Sequence, residues 1–408
     1  MRILLLTMYF DPEPTPKGLA FARELTRNGF EVEVATGFPN HPGGRLYPGY
    51  QMKLIQREVV DGVQITRLPI YPSHDSSVIR RVTTYTSIAW SILIYGLFFA
   101  KRPDAIYVFH PPLTIGVVAA LLRMVRRVPI VYDIQDMWPD TLRAVGMVPN
   151  ERVLAIVAGV CNWVYRRVDR IVVLCPGFKK LLIDRGVPSD KVDVIYNWCD
   201  EDVLASENTD LPSSFPSSDF FRVLFAGNMG KAQALEAVLK AAKMVEVSHP
   251  RVRFIFLGSG VELPHLRALC ESMGVGNVVF MPRIPMTDVG AVLRSADVLL
   301  VHLKDDPLFA ITVPSKTQAY MNTGRPIIMG VRGDAADLVE DAACGMVAVP
   351  ESAESIAGAV DRLSRMSSEE RTAMGQRGKA YYEKQLSLKI GCKAFARVFR
   401  GLASPASR

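Results

Sequence analysis

The sequence predicts an α/β protein with two doubly wound domains, each built around a parallel sheet. Thirteen short apolar runs alternate along the chain with segments of helical spacing. Strands that are buried on both faces and joined by helices show this pattern. The runs form two series, within residues 3–196 and within residues 221–349. Two such series indicate two domains.

A candidate linker lies between the two series. Residues 203–219 are rich in serine, proline and acidic side chains, which is typical of a surface linker. We therefore place an N-terminal domain at 1–202 and a C-terminal domain at 220–384. From about residue 352 the sequence has the spacing of consecutive helices.

Composition excludes several classes of protein. The chain has 408 residues, of which 49% are hydrophobic and 22% are charged, so a disordered chain, a coiled coil and a collagen-like fibre are excluded. The six cysteines are scattered and form no CxxC pair. We expect them to be reduced thiols in a cytoplasmic protein.

The positive charge is concentrated in the first half of the chain. The net charge is +7, and residues 1–200 hold 24 basic against 18 acidic side chains. This excess predicts either an anionic partner or a basic surface that is merely solvated.

One predicted helix is long and uncharged. Residues 82–100 contain no charged side chain, and they are flanked by Arg80, Arg81, Lys101 and Arg102. The length is enough to span a bilayer, but the segment lies between two strands of one predicted sheet. A buried core helix and a helix lying in the membrane interface remain the alternatives, and the basic flanks favour the interface.

Two strand-to-helix turns have the composition of phosphate-binding loops. In the N-terminal half, a proline-rich loop leads to Gly18 at the start of an amphipathic helix. In the second half, the turn GNMG supplies Asn228, Lys231 and Gln233 as hydrogen-bond donors, and FLGSG follows the next strand with Gly258. Backbone amides at a helix start attract anions, and glycine permits close approach. A plain tight turn remains the alternative at each position.

A later segment places a lysine against helix propensity. Pro314 is suited to the first position of a helix, which puts Ser315 and Lys316 in its first turn. A cation there opposes the helix dipole, so its presence indicates an anion to be neutralised.

Polar residues also follow two strands of the first series. His110 ends one strand, and Asp133 and Asp136 accompany the next. Carboxyl ends of parallel strands line the ligand crevice of such sheets. A helix-capping aspartate and a solvent-facing histidine are the alternatives.

These pieces occur together in the order of one family. The chain resembles the GT-B-fold glycosyltransferases of family 4, and is similar to the bacterial WbuB-like and WcaI-like group of exopolysaccharide and O-antigen synthesis. The resemblance rests on DMWPD at 136–140, on GNMG followed by AQ and LE at 227–236, and on the segment PSKTQAYMNTGRPI. It extends over essentially the whole chain.

The resemblance implies two facing Rossmann-like domains with a sugar nucleotide between them. The C-terminal helix, about 385–408, is then expected to pack back on the first, acceptor-binding domain. Transfer is expected to retain the anomeric configuration, with no metal and no cofactor. The expected partners are a nucleotide-sugar donor, a lipid-linked saccharide acceptor and an anionic membrane surface at the cytoplasmic side of the cell membrane, and not nucleic acid.

The chain departs from the family pattern at the donor site. The positions that often carry Arg and Lys in the diphosphate loop are Asn228 and Gln233 here, and the two glutamates of the E-x7-E pattern are Ile311 and Ala319. Ribose recognition and nucleotide preference therefore stay open, and Lys231 and Lys316 are the cations that remain.

We interpret the protein as a membrane-associated hexosyltransferase. We expect His110, Asp136 and Lys316 to be catalytic, with Lys316 stabilising the leaving diphosphate. The expected donor-binding residues are Gly18, Gly227, Asn228, Lys231, Gln233, Gly258, Arg283, Pro314 and Ser315. The alternatives are a non-hydrolysing sugar-nucleotide epimerase and a catalytically silent nucleotide-sugar-binding subunit.

Overall fold

The chain forms two compact units in the computed structural model, which describes residues 1–73, 78–205 and 211–403. One unit comprises Met1–Tyr196 and Leu388–Arg408, and the other comprises Asn197–Ser387. Residues 206–210 of the proposed linker and residues 404–408 of the proposed C-terminal helix lie outside the described residues.

The first unit contains an eight-stranded sheet in the order β3-β4-β2-β1-β5-β6-β7-β8. Its strands are β1 (Arg2–Leu6), β2 (Glu31–Gly37), β3 (Gln56–Val60), β4 (Val63–Leu68), β5 (Ala105–His110), β6 (Ile130–Ile134), β7 (Arg170–Val173) and β8 (Val192–Val194). All neighbours are parallel except β3 and β4. The parallel sheet predicted from the apolar runs is therefore confirmed.

Strand β3 is the element that the apolar pattern missed. It is an edge strand with largely exposed side chains, so its sequence QREVV lacks an apolar run. The two-residue turn Asp61–Gly62 joins it to β4, and both turn residues have positive φ, 50° and 80°. An Asp-Gly pair between two strands is the sequence signal that indicates this hairpin.

Helices cover the first sheet. They are α1 (Leu19–Arg27), α2 (Val78–Phe98), α3 (Leu113–Arg126), α4 (Asp140–Ala144), α5 (Glu151–Arg167) and α6 (Pro176–Asp184), with the C-terminal helix α16 (Leu388–Ala403). A short 3-10 helix spans Ser189–Lys191. Helix α2 packs on α3, and α3 packs on α5.

The second unit contains a six-stranded, entirely parallel sheet in the order β11-β10-β9-β12-β13-β14. Its strands are β9 (Phe221–Asn228), β10 (Val252–Ser259), β11 (Val278–Met281), β12 (Val298–His302), β13 (Ile327–Gly330) and β14 (Gly345–Val347). Each of the thirteen apolar runs in the sequence therefore contains a strand.

Helices also connect the strands of the second unit. They are α7 (Glu201–Leu204), α8 (Glu236–Ser248), α9 (Leu263–Ser272), α10 (Met286–Ser295), α11 (Pro307–Ala310), α12 (Lys316–Thr323), α13 (Asp334–Asp341), α14 (Ala353–Arg365) and α15 (Ser368–Tyr381), with a 3-10 helix at Lys231–Gln233 and a π-helical turn at Tyr382–Leu386. The prediction of consecutive helices from about residue 352 is confirmed.

Helix α16 completes the core of the first unit. Phe395 and Phe399 are fully buried. The Phe395 ring lies 5.1 Å from that of Phe21 in α1 and 5.7 Å from that of Tyr107 in β5. The last helix therefore returns to the first unit. There its aromatic side chains pack with those of α1 and β5 in one cluster.

Helix α2 has both a buried and an exposed apolar face. Ile88 and Ile92 are fully buried, so the helix does belong to the core. Its exposed side chains include Ile79, Trp90 and Phe98, which are 78%, 63% and 75% exposed. Among the described residues no helix is both long and apolar enough to cross a membrane.

Candidate functional site

Two glycine turns shape a cavity at the carboxyl ends of β9 and β10. Gly227 and Gly258 are paired in register on the two parallel strands, and both have φ near +138°. A Cβ atom at Gly258 would lie 2.1 Å from the carbonyl oxygen of Gly227. Glycine is therefore required at position 258, because any side chain would separate the two turns.

The cavity has a volume of about 300 Å³ and lies entirely within the second unit. Strand ends of β9–β11 and the helices α10 and α12 contribute its walls. Four of the predicted donor-binding residues line it together with Lys316, which is predicted to be catalytic; the four are Gly227, Asn228, Gly258 and Arg283. The lining includes two cations and no carboxylate, so the cavity is suited to an anionic ligand.

Lys316 is the first residue of α12, and its ammonium group is buried beside the glycine turn. The nitrogen lies 3.6 Å from the centroid of the Phe225 ring and has no hydrogen-bond partner among the described residues. Burial lowers the pKa of Lys316 to about 7. A Cβ atom at Gly227 would lie 3.2 Å from this nitrogen, so the glycine leaves space between the cation and the turn.

Pro314 and Ser315 precede the helix rather than opening it. Ser315 is the N-cap residue, and α12 begins at Lys316, so the expectation that Pro314 occupies the first helical position is wrong by two residues. The Ser315 side chain caps no backbone amide. The placement of Lys316 in the first turn of the helix is confirmed.

Lys231 and Gln233 lie in the 3-10 helix that follows the GNMG turn, next to the cavity but outside the residues that line it. The Gln233 side chain accepts a hydrogen bond from the Gly230 amide at 2.9 Å, so it shapes the turn itself. Lys231 is exposed.

Sequence reasoning missed two residues that hold this site in place. The buried imidazole of His302 has Nδ1 2.7 Å from the Gln233 carbonyl oxygen, and its Nε2 accepts a hydrogen bond from the Glu351 amide at 3.0 Å. The Tyr320 hydroxyl accepts a hydrogen bond from the Ala226 amide at 2.9 Å. Tyr320 lies within the segment PSKTQAYMNTGRPI and His302 ends an apolar run, but neither pattern indicates a hydrogen bond to backbone atoms that are distant in sequence.

In the first unit, His110 is the last residue of β5 and is 2% exposed. Its ring meets the edges of Tyr132 and Trp138 at centroid distances of 5.7 and 5.3 Å. Burial lowers the pKa of His110 to about 3, so the imidazole is neutral at physiological pH. The alternative of a solvent-facing histidine is excluded.

Asp133 and Asp136 are in different environments. Asp133 lies within β6 and is fully buried, where Tyr107 and Gln135 donate hydrogen bonds to it at 2.5 and 2.6 Å. The Lys17 ammonium lies 3.9 Å from the same carboxylate. Asp136 lies beyond the strand, half-buried, and burial raises its pKa. Asp136 is therefore the one of the pair that remains accessible at the edge of the sheet.

Gly18 has a reason of its own to be glycine. The Asp11 carboxylate accepts a hydrogen bond from the Leu19 amide at 2.6 Å, and a Cβ atom at residue 18 would lie 2.1 Å from that carboxylate oxygen. An aspartate of the same loop therefore occupies the positive end of α1 in this structure. The role of Gly18 as a donor-binding residue stays a prediction.

Glu13 is a further residue of this loop that sequence reasoning missed. It is 2% exposed, and its carboxylate accepts hydrogen bonds from the amides of Asn40 and His41 at 2.7 and 2.8 Å. Burial raises the pKa of Glu13. The side chain fixes the first loop to the loop after β2. In the described part of the chain, no cluster of three or more His, Cys, Asp or Glu residues could hold a metal ion.

Comparison with known proteins identifies the class. The glycosyl transferase 4-like domain matches residues 19–198, and the domain of glycosyl transferases group 1 matches residues 207–381. Together these matches cover most of the chain, which belongs to the family 4-type glycosyltransferases with the GT-B fold.

Two curated relatives are bacterial. The chain is 26% identical to the putative colanic acid biosynthesis glycosyl transferase WcaI of Escherichia coli, over 79% of this chain and 82% of that protein. It is 22% identical to the probable glycosyltransferase WbjE of Pseudomonas aeruginosa, over 75% and 76%.

Solved structures share the fold at low identity. Sucrose-phosphate synthase from Thermosynechococcus elongatus superposes with a TM-score of 0.72 at 15% identity, over 99% of this chain and all of that one. HepE of Anabaena, solved in complex with UDP-glucose, gives a TM-score of 0.70 at 15% identity, over 98% of this chain and all of that one.

The burial of Lys316 predicts a stability effect. Replacing it with methionine keeps the contact with Phe225 and removes a buried charge, so Lys316→Met should raise the free energy of unfolding of the ligand-free protein by about 1 kcal/mol at pH 7. Between pH 7 and about 10 the unfolded chain binds the lysine proton and the folded chain releases it. The parent should therefore gain stability relative to the variant as pH rises through this range.

The measurement is chemical denaturation of both proteins at several pH values. Lys231→Met is the matched control, because Lys231 is an exposed lysine of the adjacent turn, and it should change stability by less than about 0.5 kcal/mol. A clear loss of stability in Lys316→Met at pH 7 would contradict this reading of the site.

Proposed function

We propose that this glycosyltransferase moves a sugar, with retention of anomeric configuration, from a nucleoside diphosphate sugar to a lipid-diphosphate-linked saccharide in cell-surface polysaccharide synthesis. The observation that carries the donor half of the proposal is Lys316. It is a buried cation that has no anionic partner in the described part of the chain, and it lines a cavity at the carboxyl edge of the second sheet. The name of the relative WcaI, a colanic acid biosynthesis enzyme, supports the pathway class.

The leaving diphosphate is the group that such a site stabilises. When the glycosidic bond to the nucleotide breaks, negative charge develops on the phosphate oxygens, and a preorganised cation in a dry site lowers the barrier. Lys316 supplies that charge, and Arg283 provides the second cation of the cavity. Gly227, Gly258, Asn228 and the backbone at Pro314 and Ser315 would bind the donor, with Lys231 and Gln233 at the margin.

The state of His110 favours retention over inversion. An inverting transferase needs a general base that takes the acceptor proton, and such a base works best with a pKa near the operating pH. With a pKa near 3, His110 is a weak base and is suited instead to a neutral hydrogen bond with the donor sugar. Asp136 is the residue that would act as the general base in an inverting reaction, because burial raises the pKa of its carboxyl group.

The acceptor half is supported by the first unit. Burial raises the pKa of Tyr85 in α2, and the Asp136 carboxylate, which lies within electrostatic range of the phenol, adds to the increase. The start of the apolar helix therefore lies beside the edge that carries His110 and Asp136. A lipid-anchored acceptor that reaches this edge from a membrane surface would meet α2 first.

Metal independence is part of the same proposal. In many transferases a divalent cation neutralises the leaving diphosphate. The side chains of Lys316 and Arg283 in the cavity lining supply positive charge that supports the same task, so we propose that no metal is needed.

Transfer by the purified protein tests the function. A panel of sugar nucleotides is incubated with a lipid-linked acceptor extract in excess EDTA, and products are followed by mass spectrometry and by NMR of the new anomeric centre. We expect one donor to give a product of retained configuration, and Lys316→Ala to lower turnover about 10²–10³-fold.

Four other outcomes of this assay carry different conclusions. A product of inverted anomeric configuration would indicate that Asp136 acts as a general base. Loss of activity in EDTA with recovery in Mg²⁺ or Mn²⁺ would contradict metal independence. Isomerised sugar nucleotide without transfer would indicate an epimerase, and nucleotide binding without any reaction would indicate a silent subunit.

Membrane association is predicted to depend on the exposed face of α2. Trp90 and Phe98 should enter the interface of vesicles that contain anionic lipid, where each large apolar side chain contributes about 1.5–3 kcal/mol when fully buried. Trp90→Ser/Phe98→Ser should therefore weaken vesicle binding about tenfold or more in flotation assays. High salt should also weaken it, because Arg81 lies in the first turn of α2 and Lys101 follows its end.

The matched control changes two equally exposed apolar residues of the second unit, Val247 and Val261, which are 89% and 79% exposed. Val247→Ser/Val261→Ser should float like the parent. Equal flotation of both variants, or a parent that ignores vesicles, would refute the assignment of the surface.

A further inference from the structure

A second, much larger cavity lies in the first unit at the amino-terminal edge of its sheet. Its volume is about 1720 Å³, and its walls come from the segments that precede β5, β6 and β7 and from the end of α16. His110 and Asp136 lie at the opposite, carboxyl edge of the same sheet. The cavity is therefore separate from the candidate catalytic residues of this unit.

The walls of this cavity are basic. Seven basic and four acidic side chains line it. Two arginines are neutralised locally, since Arg123 and Arg170 each form an ion pair of 2.6 Å with an aspartate. The other four arginines are exposed and form no ion pair within the described residues, namely Arg102, Arg127, Arg166 and Arg397. Unpaired guanidinium groups on a concave surface are suited to phosphate oxygens.

Exposed apolar side chains lie within and next to the segments that line the basic cavity. Met124 in α3 lines the cavity and is 58% exposed, and its neighbour Val125 is 68% exposed. Phe98 and Phe99, at the end of α2, are 75% and 52% exposed and lie close in sequence to Arg102. A ligand bound there meets phosphate-binding groups on one side and an apolar surface on the other.

This combination specifies an amphipathic anion. A soluble polyanion would need only the arginines, whereas a phospholipid presents a phosphate head group next to acyl chains. We propose that Arg102, Arg127, Arg166 and Arg397 form a binding site for the phosphate head group of an anionic membrane lipid. The proposal rests on the membrane association proposed above and adds a specific head-group site to it.

The position of the site has a consequence for orientation. Helix α2 has 21 residues and is therefore about 30 Å long. Tyr85, near its start, lies within electrostatic range of Asp136, and its other end lies beside the basic cavity. Lipid bound at that end would hold α2 parallel to the membrane, which keeps the edge with Asp136 at the surface where a lipid-linked acceptor is available.

The test uses the full chain and two kinds of vesicle, phosphatidylcholine alone and phosphatidylcholine mixed with phosphatidylglycerol. The variant is Arg127→Gln/Arg166→Gln/Arg397→Gln. Its matched control is Lys240→Gln/Arg362→Gln/Lys384→Gln, which removes three exposed cations of the second unit. Melting temperatures establish that both variants are folded.

We expect the cavity variant to lose affinity for the mixed vesicles by roughly fivefold for each charge removed, or about a hundredfold in total. The control should bind like the parent, and binding to phosphatidylcholine alone should be weak for all three proteins. Transfer to a detergent-dispersed acceptor should be the same in the cavity variant and the parent. That arm separates failure of this site from failure of the proposed function.

Three outcomes would overturn the proposal. The cavity variant could bind mixed vesicles as tightly as the parent, or the control could lose as much affinity, which would indicate only a diffuse effect of net charge. Alternatively, inositol hexakisphosphate or a short RNA could bind the parent and not the variant while vesicle binding stays unchanged. That result would assign the cavity to a soluble polyanion or to nucleic acid.

Discussion

The cavity of the second unit is organised around one buried charge, the ammonium group of Lys316. A cation removed from water is costly unless a partner compensates it, and the described protein supplies only the face of the Phe225 ring. The neighbouring residues leave this charge uncompensated. Gly227 leaves the space beside the nitrogen open, and no carboxylate lines the cavity. The site therefore binds a negative charge most favourably, and the ligand completes it.

The first unit contains the opposite case. Lys17 is also buried, but the Asp133 carboxylate lies 3.9 Å from it and the Phe395 ring of α16 lies 4.9 Å from it. Tyr107 and Gln135 satisfy the remaining positions on that carboxylate. This cation is internally compensated, so its role is structural: it joins the first loop, the middle of the sheet and the C-terminal helix. The charge of Lys17 is therefore compensated within the fold by Asp133, whereas the charge of Lys316 has only the Phe225 ring beside it among the described residues.

Much of the fold followed from the sequence because burial on both faces of a parallel sheet leaves apolar runs that can be recognised without other information. The strand without such a run, β3, was missed although its Asp61–Gly62 turn was visible. At the donor site, the lysine set against helix propensity was correctly placed at the start of α12. What the sequence could not show is whether that charge would find a partner, since this depends on Phe225 and Gly227, about ninety residues away.

Other features depended on contacts that no local pattern encodes. Asp133 and Asp136 are three residues apart and similar in sequence context, yet one belongs to an internal network and the other remains at the edge. Arg126 and Arg127 are neighbours in sequence, yet Arg127 is exposed whereas Arg126 donates hydrogen bonds to the carbonyl oxygens of Gly96 and Ala100 and so joins α3 to α2. Burial of His110 likewise keeps its imidazole neutral, a property that its position at the end of an apolar strand does not reveal.

Proton uptake on nucleotide binding tests the central claim most directly. At pH 8 the free Lys316 side chain is largely neutral, because its pKa is about 7, and a bound diphosphate should raise that pKa and return the proton. Calorimetry with the nucleoside diphosphate of the active donor, in two buffers of different ionisation enthalpy, measures this linkage. The account predicts uptake approaching about one proton per ligand in the parent and none in Lys316→Met, with much weaker binding. Tight binding without proton uptake, or the same uptake in the variant, would contradict it.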